Sequence, residues 1–218
     1  MLRIQSTHTL IVARLRTASK FPFFAERLSI LEALAKTSLE NTYMLNGYFA
    51  DYWVAPGIAT YLDQNFAVAI DAVNNVAGIP GTGDVVSAFT HTKDIAAFIP
   101  HLLGAAKWEK ESSIIGSKHT LHELLTLLEE TKKTTFQASH DPISKLEKGE
   151  ITELPCHTQV YPYFPKEGVQ GMLASFGLMF EHGVFNIKPS GPTLNEQYPE
   201  VRARTMREMV EEAWGSKE

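Results

Sequence analysis

Residues 85–138, VVSAFTHTKDIAAFIPHLLGAAKWEKESSIIGSKHTLHELLTLLEETKKTTFQA, decide the fold class because short β-rich runs alternate in them with helical patterns. Apolar residues recur every three or four positions over Asp94–Leu103 and Leu121–Lys132, which predicts two helices. Strands are predicted at Val85–Phe89, Ser112–Ile115 and Thr135–Ala138. This alternation indicates an α/β protein with a largely parallel sheet.

The sequence before this stretch predicts three further elements. An amphipathic helix is expected over Phe24–Ala35, and the run TYMLNGYF at Thr42–Phe49 predicts a strand that ends in a turn at Asn46-Gly47. After Pro56-Gly57, apolar residues at helical spacing from Ile58 to Val73 predict another helix.

Beyond His140 the sequence changes character, because prolines are frequent and helical patterns are joined by irregular loops. A helix is predicted from about Pro165 to His182, and a last helix begins near Thr205. We expect a mainly helical cap over the sheet. Its pocket-lining residues are expected in the region Tyr161–Phe180, although the Met and Phe stripe there is more typical of plain core.

The composition restricts the possible partners. The chain has 218 residues, and its first 25 carry four basic side chains and no acid, which leaves 16 basic against 25 acidic side chains. Phosphate backbones need clustered Lys and Arg, so this acidic remainder excludes nucleic acid as a direct ligand. No run of about 18 apolar residues is present, which predicts no membrane-spanning helix. The single cysteine indicates a reducing, cytoplasmic location, with a mitochondrial presequence as the alternative explanation of the basic start.

Two local patterns invite a functional interpretation, and each also has a structural one. A dinucleotide-binding turn needs a strand before it and a helix after it, so GIPGTGD at Gly78–Asp84 is interpreted as a tight turn leading into a strand. His119, His122 and Glu123 resemble a metal triplet, but Thr120–Glu123 also fits a helix capping box. The capping box is favoured, and no metal site is predicted.

Two single residues remain as candidates for chemistry. Cys156, beside His157 in a proline-rich loop, is interpreted as an inert thiol, because reactive cysteines need a specific electropositive setting. Arg27 is open to two interpretations: a cation under the carboxyl edge of the sheet, where ligands of α/β sheets bind, or a solvated charge between Glu26 and Glu32.

Five segments in order resemble the NmrA-like proteins, relatives of isoflavone reductase within the atypical short-chain dehydrogenases, and specifically their fungal members. The segments are FPFFAERLSILEALAKTSLENTYMLNGYFADYW, GIPGTGDVVSAFTHTKDIAAFIPHLL, IIGSKHTLHELL, ITELPCHTQVYPYFPKEGVQGMLASFG and TMREMVEEAW. Together they cover nearly all of the chain from Phe21 to Trp214.

The resemblance implies a Rossmann domain that binds NADP(H) and a smaller C-terminal substrate domain. In such proteins the cofactor's phosphates lie on a GxxGxxG turn after the first strand, and this sequence has no such turn. The resemblance therefore implies an incomplete Rossmann-like parallel sheet. It divides the chain into an atypical N-terminal segment at 1–20, a partial NAD(P)-binding domain at 21–140 and a mainly helical substrate part at 141–218. A sheet that lacks its first strands exposes an edge, which predicts self-association.

The resemblance also places candidate site residues. Arg27 stands where the family has a lysine near the nicotinamide; an arginine suits a phosphate or an enolate but is a poor proton donor. The turn that borders the nicotinamide corresponds to Asn46, Gly47, Tyr48, Phe49 and Ala50. The Gly47 backbone is expected to approach a ligand closely, and Tyr48 or Phe49 is expected to stack on it.

These features leave three interpretations of function open. The first is an NADP(H)-dependent oxidoreductase that acts on a small organic substrate. The second is a non-catalytic NADP(H)-sensing regulator of a protein partner, which is favoured because arginine replaces the family's proton donor at position 27. The third is a truncated form that does not bind the cofactor, which is favoured by the absence of the glycine turn.

Overall fold

A computed structural model describes residues 22–215, with side chains from Ser29 onward. The predicted N-terminal segment at 1–20 lies outside the described residues. The helices are α1 (Pro22–Ala35), α2 (Asp51–Val54), α3 (Thr92–Gly104), α4 (Leu121–Lys132), α5 (Ile143–Leu146), α6 (Lys166–Glu181), α7 (Leu194–Gln197) and α8 (Met206–Trp214). Two short 3-10 helices cover Gln64–Phe66 and Pro155–Gln159. The strands are β1 (Tyr43–Leu45), β2 (Tyr48–Phe49), β3 (Ile70–Asp71), β4 (Val76–Pro80), β5 (Ser87–Thr90), β6 (Glu111–Ser113), β7 (Ser117–His119) and β8 (Gln137–Asp141).

Parallel pairs form the framework of the described sheet segments. Strand β1 pairs with β6, β2 with β5, and β4 with β8, all in parallel. Strands β3 and β7 add antiparallel partners to β4 and β5. Helices connect the parallel strands, so the α/β class predicted from the alternating pattern is confirmed.

Local sequence signals account for the helices that were predicted most closely. In α4, the Thr120 hydroxyl accepts a hydrogen bond from the Glu123 amide at 3.0 Å, and the Glu123 carboxylate accepts one from the Thr120 amide at 2.8 Å. This reciprocal pair confirms the predicted capping box. The helix α3 contains Pro100 and continues past it to Gly104.

The helix predicted from Ile58 to Val73 is wrong. Only Gln64–Phe66 is helical there, as a 3-10 turn, and Ile70–Asp71 forms β3 against β4. Ala69 has a positive φ of 67°, which breaks any helix, and the carboxylate of Asp71 accepts hydrogen bonds from Asn74 that close a turn between the two strands. Ile58, Ala69 and Ile70 are buried, whereas Tyr61 is 98% and Val73 54% exposed, so the segment does not present one continuous buried helix face.

The glycine cluster is divided between two elements. Gly78, Ile79 and Pro80 belong to β4, and Gly81 and Gly83, both with positive φ, form the turn that follows. The tight turn is therefore confirmed in its second half, and β5 begins two residues later than predicted. Strand β8 likewise lies two to three residues beyond its predicted position, and β7 was not predicted.

The C-terminal helices cover the sheet and carry one wall of the candidate site. Helix α6 packs against β4 and α5, while α8 packs against α2 and α4. Arg204, just before α8, binds the carboxylate of Asp94 on α3 through Nε and Nη2, at 3.1 and 3.0 Å. Helices C-terminal to residue 140 are thus packed against strands and helices N-terminal to it. The boundary at 140/141 stays a prediction.

Candidate functional site

Strands β1 and β2 are joined at the turn that the sequence analysis placed beside a ligand. Gly47 has a φ of +72°, and a Cβ atom there would lie 2.0 Å from the carbonyl oxygen of Ala88 on β5. Glycine is needed here because a neighbouring strand approaches closely. The glycine thus allows a close approach of the protein's own backbone, and the ligand approach expected at Gly47 stays a prediction.

The other residues of the turn differ in their surroundings. Asn46 is buried, with its side-chain amide 3.4 Å from the Gly47 carbonyl oxygen, and Ala50 has no exposed surface. Phe49 packs against the cluster around Phe98. Tyr48 lies on the opposite face of the strand, because successive strand side chains alternate. Of the five turn residues proposed for the cofactor, Tyr48 lines a pocket.

Tyr48 sits in a group of aromatic rings. Its ring centroid lies 5.5 Å from that of Tyr52, 5.4 Å from Trp53 and 5.9 Å from Phe176. Behind it, Phe180 and Phe185 approach to 5.0 and 5.1 Å. These separations lie in the range at which ring pairs attract each other, roughly 4.5–7 Å.

A pocket of about 510 Å³ opens between these rings and the first half of α6. We call it the aromatic pocket; it is lined by Tyr48, Tyr52, Phe66, Phe164, Pro165, Gly168, Val169, Met172, Leu173 and Phe176. Its volume is within the range of small-molecule sites, roughly 300–1,000 Å³. Its walls come from β2, α2, the first 3-10 helix and the start of α6, so it lies where the sheet meets the C-terminal helices.

Two phenols supply the polar groups of this otherwise apolar lining. Burial raises the pKa of Tyr48 well above its ordinary value, and the neighbouring Tyr52 adds to the rise. Burial, and then the charges of Asp51 and Asp63, raise the pKa of Tyr52. The raised pKa values keep both phenols neutral near pH 7.

Hydrogen bonds to a buried carboxylate fix the helix that carries Tyr52. Asp51 accepts hydrogen bonds from the amide and hydroxyl of Thr92, at 2.9 and 2.5 Å, and from the Thr60 hydroxyl at 2.6 Å. His91 lies 3.6 Å from Asp51, and burial lowers the pKa of its imidazole, so the ring stays neutral near pH 7. The first turn of α2, and Tyr52 with it, is thus held by the segment after β5.

A polar recess of about 190 Å³ shares Tyr52 with the aromatic pocket. It is lined by Tyr52, Ala55, Gln64, Asn65, Ala67, Asp71, Ala72, Val73, Asn74, Pro155, Cys156 and Gln159. Burial, and then the charge of Asp71, raise the pKa of the Cys156 thiol. The His157 imidazole is bound to the Ala67 carbonyl oxygen at 2.8 Å and to the Leu154 amide at 3.2 Å, so both its nitrogens are occupied. This geometry supports the inert thiol that the sequence predicted.

The described residues show no functional arrangement for the remaining candidates, which are Arg27 and the histidines of the triplet that resembles a metal site. Arg27 lies on α1, but its side chain is outside the described part of the chain, so its proposed role stays a prediction. His122 is bound to Asp84 at 2.8 Å and lies against His140 with ring centroids 5.2 Å apart. Among the side chains from Ser29 to Gly215, no group of three or more His, Cys, Asp or Glu residues is arranged to hold a metal ion.

Sequence reasoning missed Tyr52 and Phe66 and only partly identified the opposite wall. Tyr161–Phe180 was expected to line a pocket or to be plain core, and it does both. Val169 and Leu173 are buried, whereas Phe164 is 52% exposed. The available signal was the density of aromatic residues in TYMLNGYFADYW and YPYF.

Comparisons with known proteins give an oxidoreductase context. No family model matches the chain. It is 30% identical to Oxidoreductase BOA1 of Botryotinia fuckeliana, over 78% of this chain and 53% of the relative. It is 28% identical to Oxidoreductase swnN of Metarhizium robertsii, over 86% of this chain and 57% of the relative. The chain thus spans somewhat more than half the length of these curated relatives.

The solved structures show the fold. The chain superposes on the binary complex of leucoanthocyanidin reductase with NADPH from Vitis vinifera with a TM-score of 0.68, at 17% identity, over 96% of this chain and 64% of that one. The Rossmann-like fold expected from the sequence is therefore confirmed. No helix within residues 22–215 is both long and apolar enough to cross a membrane.

Proposed function

We propose that residues 22–215 form the substrate-binding side of an NADP(H)-dependent oxidoreductase that acts on small organic molecules. The observation that carries the proposal is the aromatic pocket, which is lined by Tyr48 of the parallel strand β2 and by Tyr52, just after that strand. The similarity of the chain to fungal oxidoreductases, and its fold, which is that of an NADPH-bound reductase, support the oxidoreductase class.

The glycine-rich turn at Gly81–Gly83 does not meet the needs of the cofactor's diphosphate. When bound, NADPH supplies a hydride ion, and its diphosphate needs free backbone amides at a glycine turn. At the Gly81–Gly83 turn, Glu181 accepts hydrogen bonds from the amide and hydroxyl of Thr82, at 3.0 and 3.1 Å. A carboxylate already occupies this turn and repels a phosphate. This turn therefore does not fit the diphosphate, and we expect NADPH alone to bind this chain weakly.

The proposal is tested by oxidation of NADPH, at millimolar concentration, with a panel of quinone, enal and iminium substrates. Gly168 lines the pocket, whereas Gly171 lies on the same helix away from it, and a Cβ atom at either position meets nothing within 4 Å. We expect slow, protein-dependent oxidation that Gly168→Leu abolishes and Gly171→Leu preserves. Absence of protein-dependent oxidation across the panel contradicts the proposal.

A second candidate is a non-catalytic NADP(H)-sensing regulator of a protein partner. It is favoured by the pocket lining, whose ionisable groups among the described residues are two phenols with raised pKa. Phenols of this kind are poor general acids near pH 7. Saturable NADPH binding without oxidation of any substrate supports this candidate over the first. Self-association and the cytoplasmic location stay predictions.

A further inference from the structure

The aromatic pocket is built around five aromatic rings. They belong to Tyr48, Tyr52, Phe66, Phe164 and Phe176. The rings form two packed sets: Tyr48 contacts Tyr52 and Phe176, at 5.5 and 5.9 Å, and Phe66 contacts Phe164 at 5.7 Å. Each ring has a negative face, and several rings that converge on one space bind an organic cation by cation–π attraction.

The charges around the pocket have the sign that such a ligand needs. Among the described residues that line it there is no Lys, Arg or His, and the carboxylates of Asp51 and Asp63 are close enough to act on Tyr52. Lys166 follows Pro165 of the pocket wall, and its ammonium group is paired with Glu153 at 2.6 Å. The described surroundings therefore favour a positive ligand.

We propose that the aromatic pocket binds an organic cation, with a substituted ammonium, iminium or pyridinium nitrogen held against the rings of Tyr48, Tyr52 and Phe176. This inference rests on the proposed function, because it names the substrate class of the same site. Rings alone also accept a neutral aromatic molecule, so the positive charge is the part of the proposal that needs testing.

Of these cations, iminium ions would suit a reductase whose described pocket lining lacks a good acid. If a nicotinamide-class donor reduced an iminium ion, the C–H bond at C4 of the donor's dihydropyridine ring would break and a C–H bond would form at the iminium carbon. The donor would be oxidised to a pyridinium ion, and the C=N π pair would move onto nitrogen. The product is a neutral amine, and the protein supplies no proton. A carbonyl substrate needs a proton on its oxygen, which the buried phenols of Tyr48 and Tyr52 release poorly.

The test compares two probes of nearly the same shape, 3-hydroxyphenyltrimethylammonium and 3-tert-butylphenol, by calorimetric titration of the full chain. They differ in a positive nitrogen that replaces a neutral carbon. We expect the cation to bind on the order of 10-fold more tightly, as one or two desolvated cation–π contacts allow. Equal binding, or tighter binding of the neutral probe, overturns the proposal.

Variants at Tyr52 separate the ring from its hydroxyl. Tyr52→Phe keeps the ring and is expected to keep the preference for the cation, whereas Tyr52→Leu is expected to lose most of it. Tyr61→Leu is the matched control, because Tyr61 is 98% exposed and does not line the pocket. Thermal unfolding of each variant confirms that it is folded. A preference unchanged in Tyr52→Leu contradicts the ring contact.

The oxidation assay distinguishes this inference from the proposed function. Preference for the cationic probe without NADPH oxidation leaves the inference standing and rejects the oxidoreductase. Oxidation with quinones or enals but no preference for the cationic probe leaves the oxidoreductase standing and rejects the inference.

Discussion

The aromatic pocket and the glycine turn at Gly81–Gly83 show opposite relations between sequence and function. The turn belongs to the richest glycine cluster of the chain, yet the amide and hydroxyl of Thr82 in it are bound by Glu181. The pocket has no sequence motif, yet it combines open space with five aromatic rings, two of them phenols. An open cavity lined by rings therefore identifies the candidate site better than the glycine pattern does.

The largest expected effect separates structural rings from ligand-binding rings. Phe180 is 2% exposed and packs between Tyr48, Trp53 and Phe89, so Phe180→Ala leaves a cavity in the core. We expect a loss of about 4 kcal/mol in the free energy of unfolding. Denaturant titration measures it, with Tyr163→Ala as the control, since Tyr163 is 81% exposed. Similar losses in the free energy of unfolding of both variants contradict the structural role assigned to the Phe180 ring.

A smaller effect is expected from filling the pocket. Gly168→Leu places a side chain at the wall without steric conflict at its Cβ atom, and leucine also favours the helix. We expect binding of 3-hydroxyphenyltrimethylammonium to weaken by on the order of 10-fold, about 1.4 kcal/mol. Binding is measured by calorimetry. Gly171→Leu is expected to bind like the unaltered chain, and a similar loss in both variants argues against the pocket as the site.

The smallest effect concerns the glycine turn. Glu181→Gln weakens the hydrogen bonds that the carboxylate accepts from Thr82 and is expected to cost about 1 kcal/mol of stability. Probe binding in the aromatic pocket is expected to stay unchanged. Thermal unfolding and calorimetry on one preparation give both values. If Glu181→Gln loses probe binding while its stability is unchanged, the turn binds the ligand and the assignment of binding to the aromatic pocket is wrong.

Local signals made much of the fold predictable. The alternating pattern gave the α/β class, the bounds of α4 agree with its prediction, and Gly183, with a φ of 64°, follows the end of α6. The region Ile58–Val73 was misjudged, because its spacing suits a helix while pairing between β3 and β4 determines its structure. Sequence periodicity carries no information about a partner strand that lies elsewhere in the chain.

The site was harder to predict than the fold. The role predicted for the turn at residues 46–50 stays a prediction; Gly47 is needed there because Ala88 approaches closely, and of the five residues Tyr48 lines the pocket. Tyr52 and Phe66 join it through tertiary packing, which no local pattern records. The expectation for Tyr161–Phe180 named both of its roles without deciding between them.

The most direct test of the aromatic pocket uses its single methionine. The sequence has six methionines, and among the described ones Met172 lines the pocket, while Met44, Met179, Met206 and Met209 are buried elsewhere in the core. Carbon-13 labelling of the methyl groups gives one NMR signal for each. On titration with 3-hydroxyphenyltrimethylammonium we predict a saturable shift of the Met172 signal with little change in the others. Saturable shifts at Met44 or Met206 with an unchanged Met172 signal contradict the account.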